Sequence, residues 1–566
     1  MKNPFSGILI VFFFYLLKFF LSLTFDLIPD EAYYWEWSRK LDFSYYDQGP
    51  GVAYYIYFFT KLFGDNLIAL RLASNFAGFL TTIFIFLTSS LLNFSKLAQT
   101  FLLFILFLIP GFFTGSMLIM HDSPLLIAWS GGIYFFSKYI KERKDFDLYL
   151  LFLFVGLGAL SKHTMVFFLI SIFIWLILFR DEFAIFKSYQ SYLAICITAL
   201  VISPIIIWNT QNNWDNIDAI INLRSAGGVN VKKFNTGSYL AGQILTLSPG
   251  FFLIGIGLFF QSLKNLIQFP SIEINASTKI RYFLGINALV LPIFFLILSI
   301  QKVIQANWVF ASYLPLSIFM AEFLEKIISK HQKKYKILIY ITFLICALMN
   351  VFSILSVPIV KNFNIPLNSH YVPGYRTEGF KEIIKEIENF RNTKYSDAEL
   401  IANRYQDAAI GSWFADGKPF IQSFNILQKN QYNYWLDIKI GKNYLLYYIE
   451  EKPCQKSFIF FQTFLKMMFE EVIEFPEKDI IVDGKVIKRY QVWYLKNYKR
   501  SWVNPVRDIL QKDIIKNSLL IGLRDSEEEY LEKLKSMKEY GDTQIDFTIL
   551  DSYMNRKGEL ECNIFD

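Results

Sequence analysis

Two adjacent carboxylates, Asp30 and Glu31, follow Pro29 at the end of the first apolar run of the chain. A third acid, Asp47, stands in the same aromatic-rich stretch, within Tyr45-Tyr46-Asp47-Gln48-Gly49-Pro50. Acids are costly near hydrocarbon and usually serve a purpose where they occur there. A partly desolvated carboxylate has a raised pKa and can take a proton from a hydroxyl as a general base. A helix end whose acids merely face water would read the same, and for one isolated pair the two readings weigh equally. Asp47 in the same loop tips the balance toward chemistry at a membrane surface.

Three further places carry polar groups against apolar flanks. Asp122 lies in Met120-His121-Asp122-Ser123-Pro124, at the mouth of a helix pair. Pro124 suits the first turn of a helix, so capping by Asp122 or Ser123 competes evenly with a catalytic role. His121 alone is a weak sign of a metal. Lys162, in Leu160-Ser161-Lys162-His163-Thr164, reads either as an interface lysine that snorkels to water or as a clamp for a phosphate. Asn307-Trp308 opens another apolar segment. The Trp suits an interfacial anchor, and the Asn at the same depth can hydrogen-bond a sugar. Arg224, Lys232 and Lys233 are available for a phosphate, but a plain solvated loop over 210–236 accounts for them better.

The elements that must position these groups are membrane helices. Of the 566 residues, 54% are hydrophobic and 19% charged, with a mean hydropathy of +0.34. Soluble domains are less apolar and more charged. The net charge of +7 does not indicate nucleic acid. The Lys and Arg residues concentrate in short loops between apolar runs, as membrane proteins distribute them. A spanning helix needs roughly 20 mostly apolar residues. About eleven runs qualify, near 5–28, 67–92, 99–119, 124–140, 147–161, 164–180, 191–209, 237–262, 281–300, 306–325 and 335–358. The first has no small-residue cleavage site after it and reads as a retained helix.

Counting through these runs puts the 141–144 cluster, Arg180 with Lys187, the 264–281 loop and the Lys326–Lys336 connection on one side, which is then cytoplasmic. Asp30, Glu31, Asp47, Asp122, Lys162 and Asn307-Trp308 all fall on the other side, and so does the region after 360. The predicted architecture is mainly α: a polytopic membrane helix bundle of about 11–13 spans with a C-terminal soluble α/β domain. Three regions are expected: a transmembrane catalytic domain over 1–360, an extracytoplasmic α/β domain over 361–500, and a polar tail over 501–566. In the second, Ala398–Ala402 and 418–424 read as strands, 407–414 as a short helix, and Asp483-Gly484 as a hairpin turn. Cys196 and Cys346 lie in apolar runs, while Cys454 and Cys562 are in a position to pair only in an oxidising compartment. No Walker loop and no GxGxxG occurs.

The ordered set Pro29-Asp30-Glu31-Ala32-Tyr33-Tyr34-Trp35, Tyr45-Tyr46-Asp47, Asp122-Ser123-Pro124-Leu125, Leu160-Ser161-Lys162-His163-Thr164, Ser203-Pro204 with Ile207-Trp208-Asn209, and Asn307-Trp308 resembles the bacterial GT-C membrane glycosyltransferases. These are proteins similar to the dolichyl-phosphate-mannose–protein mannosyltransferases and to the lipid A aminoarabinose transferase. The resemblance covers about 1–360, and Asn403-Arg404-Tyr405-Gln406-Asp407 adds to it. It implies an inverting transferase of the bacterial inner membrane that moves a hexose or pentose from a polyprenyl-phosphate donor to an acceptor on the extracytoplasmic face. It also implies that Asp30, Glu31 and Asp122 are catalytic and that Asp47, Lys162, Asn307 and Trp308 bind substrate. Neither the residues nor the resemblance demands a cofactor; for a divalent metal, Asp47 and Asp122 are the candidate ligands. The chain departs from the pattern at Gln48-Gly49-Pro50, where bacterial relatives often carry His or Lys and then Pro-Pro, and at His163, where Tyr is common.

The competing expectation is a flippase or transporter of lipid-linked sugars, which would line a path at mid-membrane. Lys18 and Asp26 in the first run are the residues that favour it. A glycan polymerase or ligase would differ mainly in acceptor. Protein hydroxyl, lipid A and a growing cell-envelope polysaccharide all remain consistent with the sequence.

Overall fold

The structure is a computed structural model. It describes residues 4–221, 236–268, 274–330, 333–365, 372–424, 430–435, 437–451, 465, 468–482 and 484–499. Arg224, Lys232, Lys233, Cys454, Cys562, Asp483 and the 501–566 tail lie outside these residues.

The chain folds into two compact units. The first takes the described residues of Met1–Thr24, Trp37–Ala219 and Val231–Phe352, the second those of Phe25–Glu36, Ile220–Asn230 and Ser353–Asp566. The first unit is helical. Its elements are α1 (Pro4–Ser22), the end of α2 (Pro29–Arg39), α3 (Gly51–Phe63), α4 (Leu67–Leu91), α5 (Lys96–Leu108), α6 (Pro110–Gly115), α7 (Asp122–Glu142) and α8 (Asp145–Ser161). Then come α9 (Val166–Leu178), α10 (Tyr189–Gln211), α11 (Asp215–Ile221), α12 (Thr236–Leu247), α13 (Pro249–Ile267), α14 (Ala276–Leu298), α15 (Phe310–Ser329) and most of α16 (Lys333–Asn362).

Each of the eleven predicted apolar runs falls on helix. Among the described residues six helices are long and apolar enough to cross a membrane, and the shorter apolar helices include Ser6–Ser22, Lys96–Leu108 and His163–Leu178. The run at 237–262 is two helices. Ser248 has φ +74°, which ends α12, and Pro249 starts α13. Large apolar side chains such as Leu200, Leu253, Phe260, Ile297 and Leu344 remain exposed, as a surface against lipid requires. Inside, Trp129 Nε1 donates to Asn287 Oδ1 at 2.8 Å and Trp175 Nε1 to the Lys279 carbonyl at 2.9 Å, so both buried indoles are satisfied. Lys18 of α1 is buried and donates to the Phe112 carbonyl within α6 at 3.3 Å and to Oγ of Ser116, the residue that follows α6.

Ion pairs identify one end of this bundle. Glu182 holds both Arg143 and Lys279 at 2.5 Å, Arg281 meets Glu322 at 2.6 Å, and Lys138 meets Asp147 at 2.9 Å. Asn66, Ser95 and Asn275 cap α4, α5 and α14 through side-chain oxygens, the usual way to satisfy free N–H groups at a helix start.

The second unit carries a six-stranded mixed sheet with α17 (Phe380–Lys394), α18 (Tyr405–Phe414) and α19 (Tyr432–Trp435). Its strands are β1 (Ala398–Ala402), β2 (Gln422–Ser423), β3 (Asn443–Glu450), β4 (Phe469–Glu474), β5 (Lys478–Val482) and β6 (Lys485–Tyr498). The order is β2-β1-β3-β6-β4, with β5 also on β6; β1 is parallel to β2 and β3, and the other pairings are antiparallel. Strand β3 is buried along almost its whole length, as its apolar run Tyr444–Ile449 dictates. The predicted hairpin closes with Val482 opposite Lys485, and Gly484 supplies the φ of +77° that such a turn demands. Of the predicted 418–424 strand, only Gln422–Ser423 pairs.

Candidate functional site

Asp122 opens α7 but does not cap it. The residue before it, His121, is the N-cap and makes no capping bond with its side chain. Ser123 turns its hydroxyl back into the preceding turn, accepting from Met120 N and donating to the Leu118 carbonyl, each at 3.2 Å. The Asp122 carboxylate is thereby free for tertiary partners. Lys162 Nζ donates to Oδ1 at 2.7 Å and Asn307 Nδ2 to Oδ2 at 2.8 Å. His121 Nε2 lies 3.8 Å from Oδ2. Three residues separated by 40 and 185 positions thus meet on one carboxylate.

Lys162 is the residue where α8 stops, with extended backbone at φ −155°. Its side chain is 4% exposed, so it does not snorkel to water. One of its three N–H donors goes to Asp122, which leaves two for a ligand oxygen. Asn307 reaches the cluster from the short turn Ala306–Val309 that leads into α15. Trp308 is placed differently: its ring packs against Phe295 at 5.3 Å, within the helical core.

The loop that carries Asp47 is pinned from several directions. Tyr45 Oη donates to the carbonyls of Trp37 at 2.9 Å and Lys40 at 3.0 Å, and its ring stacks on Trp37. Asn216 donates to the carbonyls of Tyr45 and Tyr46, each at 2.9 Å. Trp208 Nε1 donates to Asp42 Oδ2 at 3.1 Å. The chain then runs hard against the end of α8. A Cβ at Gly49 would lie 2.2 Å from the Leu160 carbonyl oxygen, and one at Gly51 would lie 2.5 Å from Ser161 Oγ. The two glycines seat the Asp47 loop directly on the Leu160-Ser161 pair that precedes Lys162. Asp47 itself is half-buried.

Asp30 and Glu31 belong to the second unit, in the first turn of α2. Glu31 is fully buried, and its Oε2 accepts from Ile28 N at 3.1 Å. This is the returning half of a capping box, a carboxylate at the third helical position closing on the N-cap amide. Asp30 has a different setting. Burial pushes its carboxyl above the usual carboxylate range; Glu451 and Glu31 add to the rise, while Arg376 and Arg404 oppose it. Arg404 is itself fixed by a two-pronged bond to Asp407 at 3.1 and 2.8 Å, and its guanidinium lies 4.9 Å from the Tyr448 ring. Arg376 is exposed, on the turn Pro373–Arg376, whose carbonyl at Tyr375 accepts from buried Lys488 at 2.8 Å. The stretch after Asp30 is packed by aromatics: Tyr33 lies 4.5 Å from the ring of Tyr405, and Trp35 lies 4.9 Å from that of Trp413. Gln431 N donates to Tyr33 Oη at 2.8 Å.

The structure therefore brings Asp122, Lys162 and Asn307 together and surrounds Asp30 with charged groups from the C-terminal region. Sequence reading missed Arg376, Glu451 and Asn216. Arg404 stood in a noted motif, but nothing in it pointed to Asp30. Among the described residues no three His, Cys, Asp or Glu side chains gather as a metal site. Both Asp122 oxygens accept hydrogen bonds, Oδ1 from Lys162 and Oδ2 from Asn307.

Residues 47–208 match the family described as dolichyl-phosphate-mannose-protein mannosyltransferase, a span that contains Asp47, Asp122 and Lys162. The lipid A galacturonosyltransferase RgtD of Rhizobium johnstonii is 44% identical over 69 residues, which is 12% of this chain and 14% of that protein. The chain thus matches about a seventh of that relative's length. Crystal structures of ArnT from Cupriavidus metallidurans, bound to undecaprenyl phosphate and in the apo state, each match with a TM-score of 0.56. The identities are 13% and 12%, over 87% of this chain and 98% of ArnT. At such identity the likeness speaks for the fold, which is of the GT-C type, as the ordered motifs led one to expect.

Proposed function

We propose that this GT-C-fold membrane protein is a glycosyltransferase that moves a sugar from a polyprenyl-phosphate donor to an acceptor hydroxyl, with inversion at the anomeric carbon. The observation that carries the reading is the convergence of Asp122, Lys162 and Asn307. A lipid-phosphate donor is already activated at its anomeric carbon, so the protein has two tasks. One is to stabilise the departing phosphate. Lys162 does this with its two remaining N–H donors, while Asp122, itself held by Asn307, keeps the ammonium in place. The other is to remove the acceptor proton. Asp30 does this: a carboxyl held above its usual range is a stronger base than an ordinary aspartate. Glu31 fixes the helix start on which Asp30 sits. Asp47, on its anchored loop, contacts the sugar. No step passes through a metal.

The names of the similar proteins, which include a lipid A transferase and a structure holding undecaprenyl phosphate, support this donor and acceptor class. The Lys and Arg asymmetry supports a bacterial inner-membrane setting with the chemistry and the C-terminal region on the extracytoplasmic face. The test is to incubate the purified protein with labelled polyprenyl-phosphate sugars and acceptors, water included. Donor cleavage that releases polyprenyl phosphate and depends on Asp30 is the expected result. A donor that stays intact with every acceptor, while reconstituted vesicles carry it between leaflets, overturns the enzyme in favour of a transporter.

A further inference from the structure

A cavity of about 780 Å³ opens between α13, α14, α15 and the start of α16. It shares no residue with the surroundings of Asp122 and Asp30. Asn307 leads into α15 and Lys326 lies near its other end, about 30 Å away at 1.5 Å per residue, which matches the hydrocarbon thickness of a bilayer. The cavity therefore sits at the ion-pair-rich end of the bundle, where membrane gives way to water.

Its lining has two characters. Arg281, Lys326 and Lys330 set three cations against one carboxylate, Glu322. Glu322 is taken by Arg281 at 2.6 Å, and Lys326 and Lys330 have no acidic partner among the described residues. Glu322 and Lys326 on α15 and Lys330 at its C-cap recur every four residues, so they stand in one row. Gln261 and Asn265 add amide groups from α13. Below the cations the walls are apolar, with Leu258, Phe319 and Phe323. The volume falls in the roughly 300–1,000 Å³ range of pockets that enclose whole small molecules, far beyond what a bare phosphate fills.

We infer that this cavity binds an anionic glycerophospholipid of the leaflet at that end. Lys326 and Lys330 take the phosphodiester and the head group, and the apolar walls take the upper part of the acyl chains. A row of unpaired lysines above an apolar cleft at the membrane boundary is the arrangement that recognises such a lipid. A soluble phosphate compound would satisfy the lysines but leave the phenylalanines wet.

The experiment uses the full chain in detergent and counts bound lipid by native mass spectrometry. The probes are phosphatidylglycerol and phosphatidylcholine with identical acyl chains, with inorganic phosphate and glycerol 3-phosphate as competitors. Retention of phosphatidylglycerol over phosphatidylcholine is expected, roughly tenfold weaker in the Lys326→Gln/Lys330→Gln double variant, given the attraction each surface lysine contributes. Both lysines are exposed and the Arg281–Glu322 pair stays intact, so the variant folds. A control pair outside the cavity, Lys144→Gln/Lys187→Gln, should bind as the wild type does. Equal loss in both pairs, or none in either, overturns the site in favour of unspecific surface lipid. Displacement by millimolar inorganic phosphate or glycerol 3-phosphate overturns the lipid in favour of a soluble anion.

Discussion

The ammonium of Lys162 and the carboxylate of Asp122 lie 2.7 Å apart with both side chains almost wholly inside the protein. Taking either partner away strands the other charge in a low dielectric, which costs about 3–5 kcal/mol in comparable pairs. Lys162→Met and Asp122→Asn should each lower the thermal midpoint of the detergent-purified protein. The neutral double variant Asp122→Asn/Lys162→Met should recover part of the loss. Strictly additive losses in this cycle would show that the two groups are not coupled.

Kinetics should separate the two proposed tasks. Asp30→Asn removes the base and should lower the turnover rate roughly 10²–10⁴-fold with donor binding retained. Lys162→Gln keeps a polar end, one atom shorter, but loses the charge, and its main effect should be weaker use of the phosphate-bearing donor. Full turnover in Asp30→Asn, with protein still folded, would remove Asp30 from the mechanism.

The charges around Asp30 set the acidic limb of the pH profile. Its pKa is raised, so the base becomes protonated and transfer falls at a pH above the 3.8 of an ordinary aspartate. Arg376 opposes the rise, and Arg376→Gln should move the limb to still higher pH. Glu451 adds to it, and Glu451→Gln should move the limb down. The sign for stability is the same: the native state holds this proton more tightly than the unfolded chain. Asp30 therefore lowers stability as pH rises from 3.8 through its folded value, and denaturant midpoints of Asp30→Asn should lose that dependence.

Gly49 leaves no room for a side chain beside the Leu160 carbonyl. Because the obstacle is backbone, Gly49→Ala should displace the loop that carries Asp47 and cost about 1–3 kcal/mol. Transfer should fall in protein that still enters the membrane. Gly237→Ala, where a Cβ meets nothing within 4 Å, serves as the control and should behave as the wild type.

A reporter fused after about residue 362 should read as extracytoplasmic, and one placed within 329–335 as cytoplasmic. The same location for both would break the proposed orientation.

The helices were legible in the sequence because a spanning segment announces itself by length and hydropathy alone. Two runs merged neighbouring helices, 99–119 at Ile109-Pro110 and 237–262 at Ser248-Pro249, and in each the proline was the available sign that two helices meet there. Lys162 and Asp122 stood out as charges beside apolar runs, but their bond spans 40 residues and no local pattern encodes it. Asp122 looked like a cap because the residues flanking a helix start are the same whether a carboxylate turns inward to the backbone or outward to a lysine. The bond that Glu31 accepts from Ile28 was hidden for a similar reason: its partner is a backbone amide, which a sequence does not display. Arg376 was illegible outright, being one exposed arginine on a short turn whose neighbour Asp30 is 346 positions away.

The lysine inside α1 has a consequence for biogenesis. A lysine at the centre of a helix opposes insertion by roughly 2.5–3.5 kcal/mol and one nearer the end by less; Lys18, four residues from the end of α1, finds its oxygen partners at Phe112 and Ser116. At about 5–20 residues per second, those partners emerge several seconds after α1 has left the ribosome. The first helix is therefore delivered to the bilayer before the groups that make its charge tolerable exist, and its final depth is settled only once the α5–α6 segment has arrived. A chain truncated before Phe112 would carry a first helix whose place in the membrane depends on hydrophobicity alone.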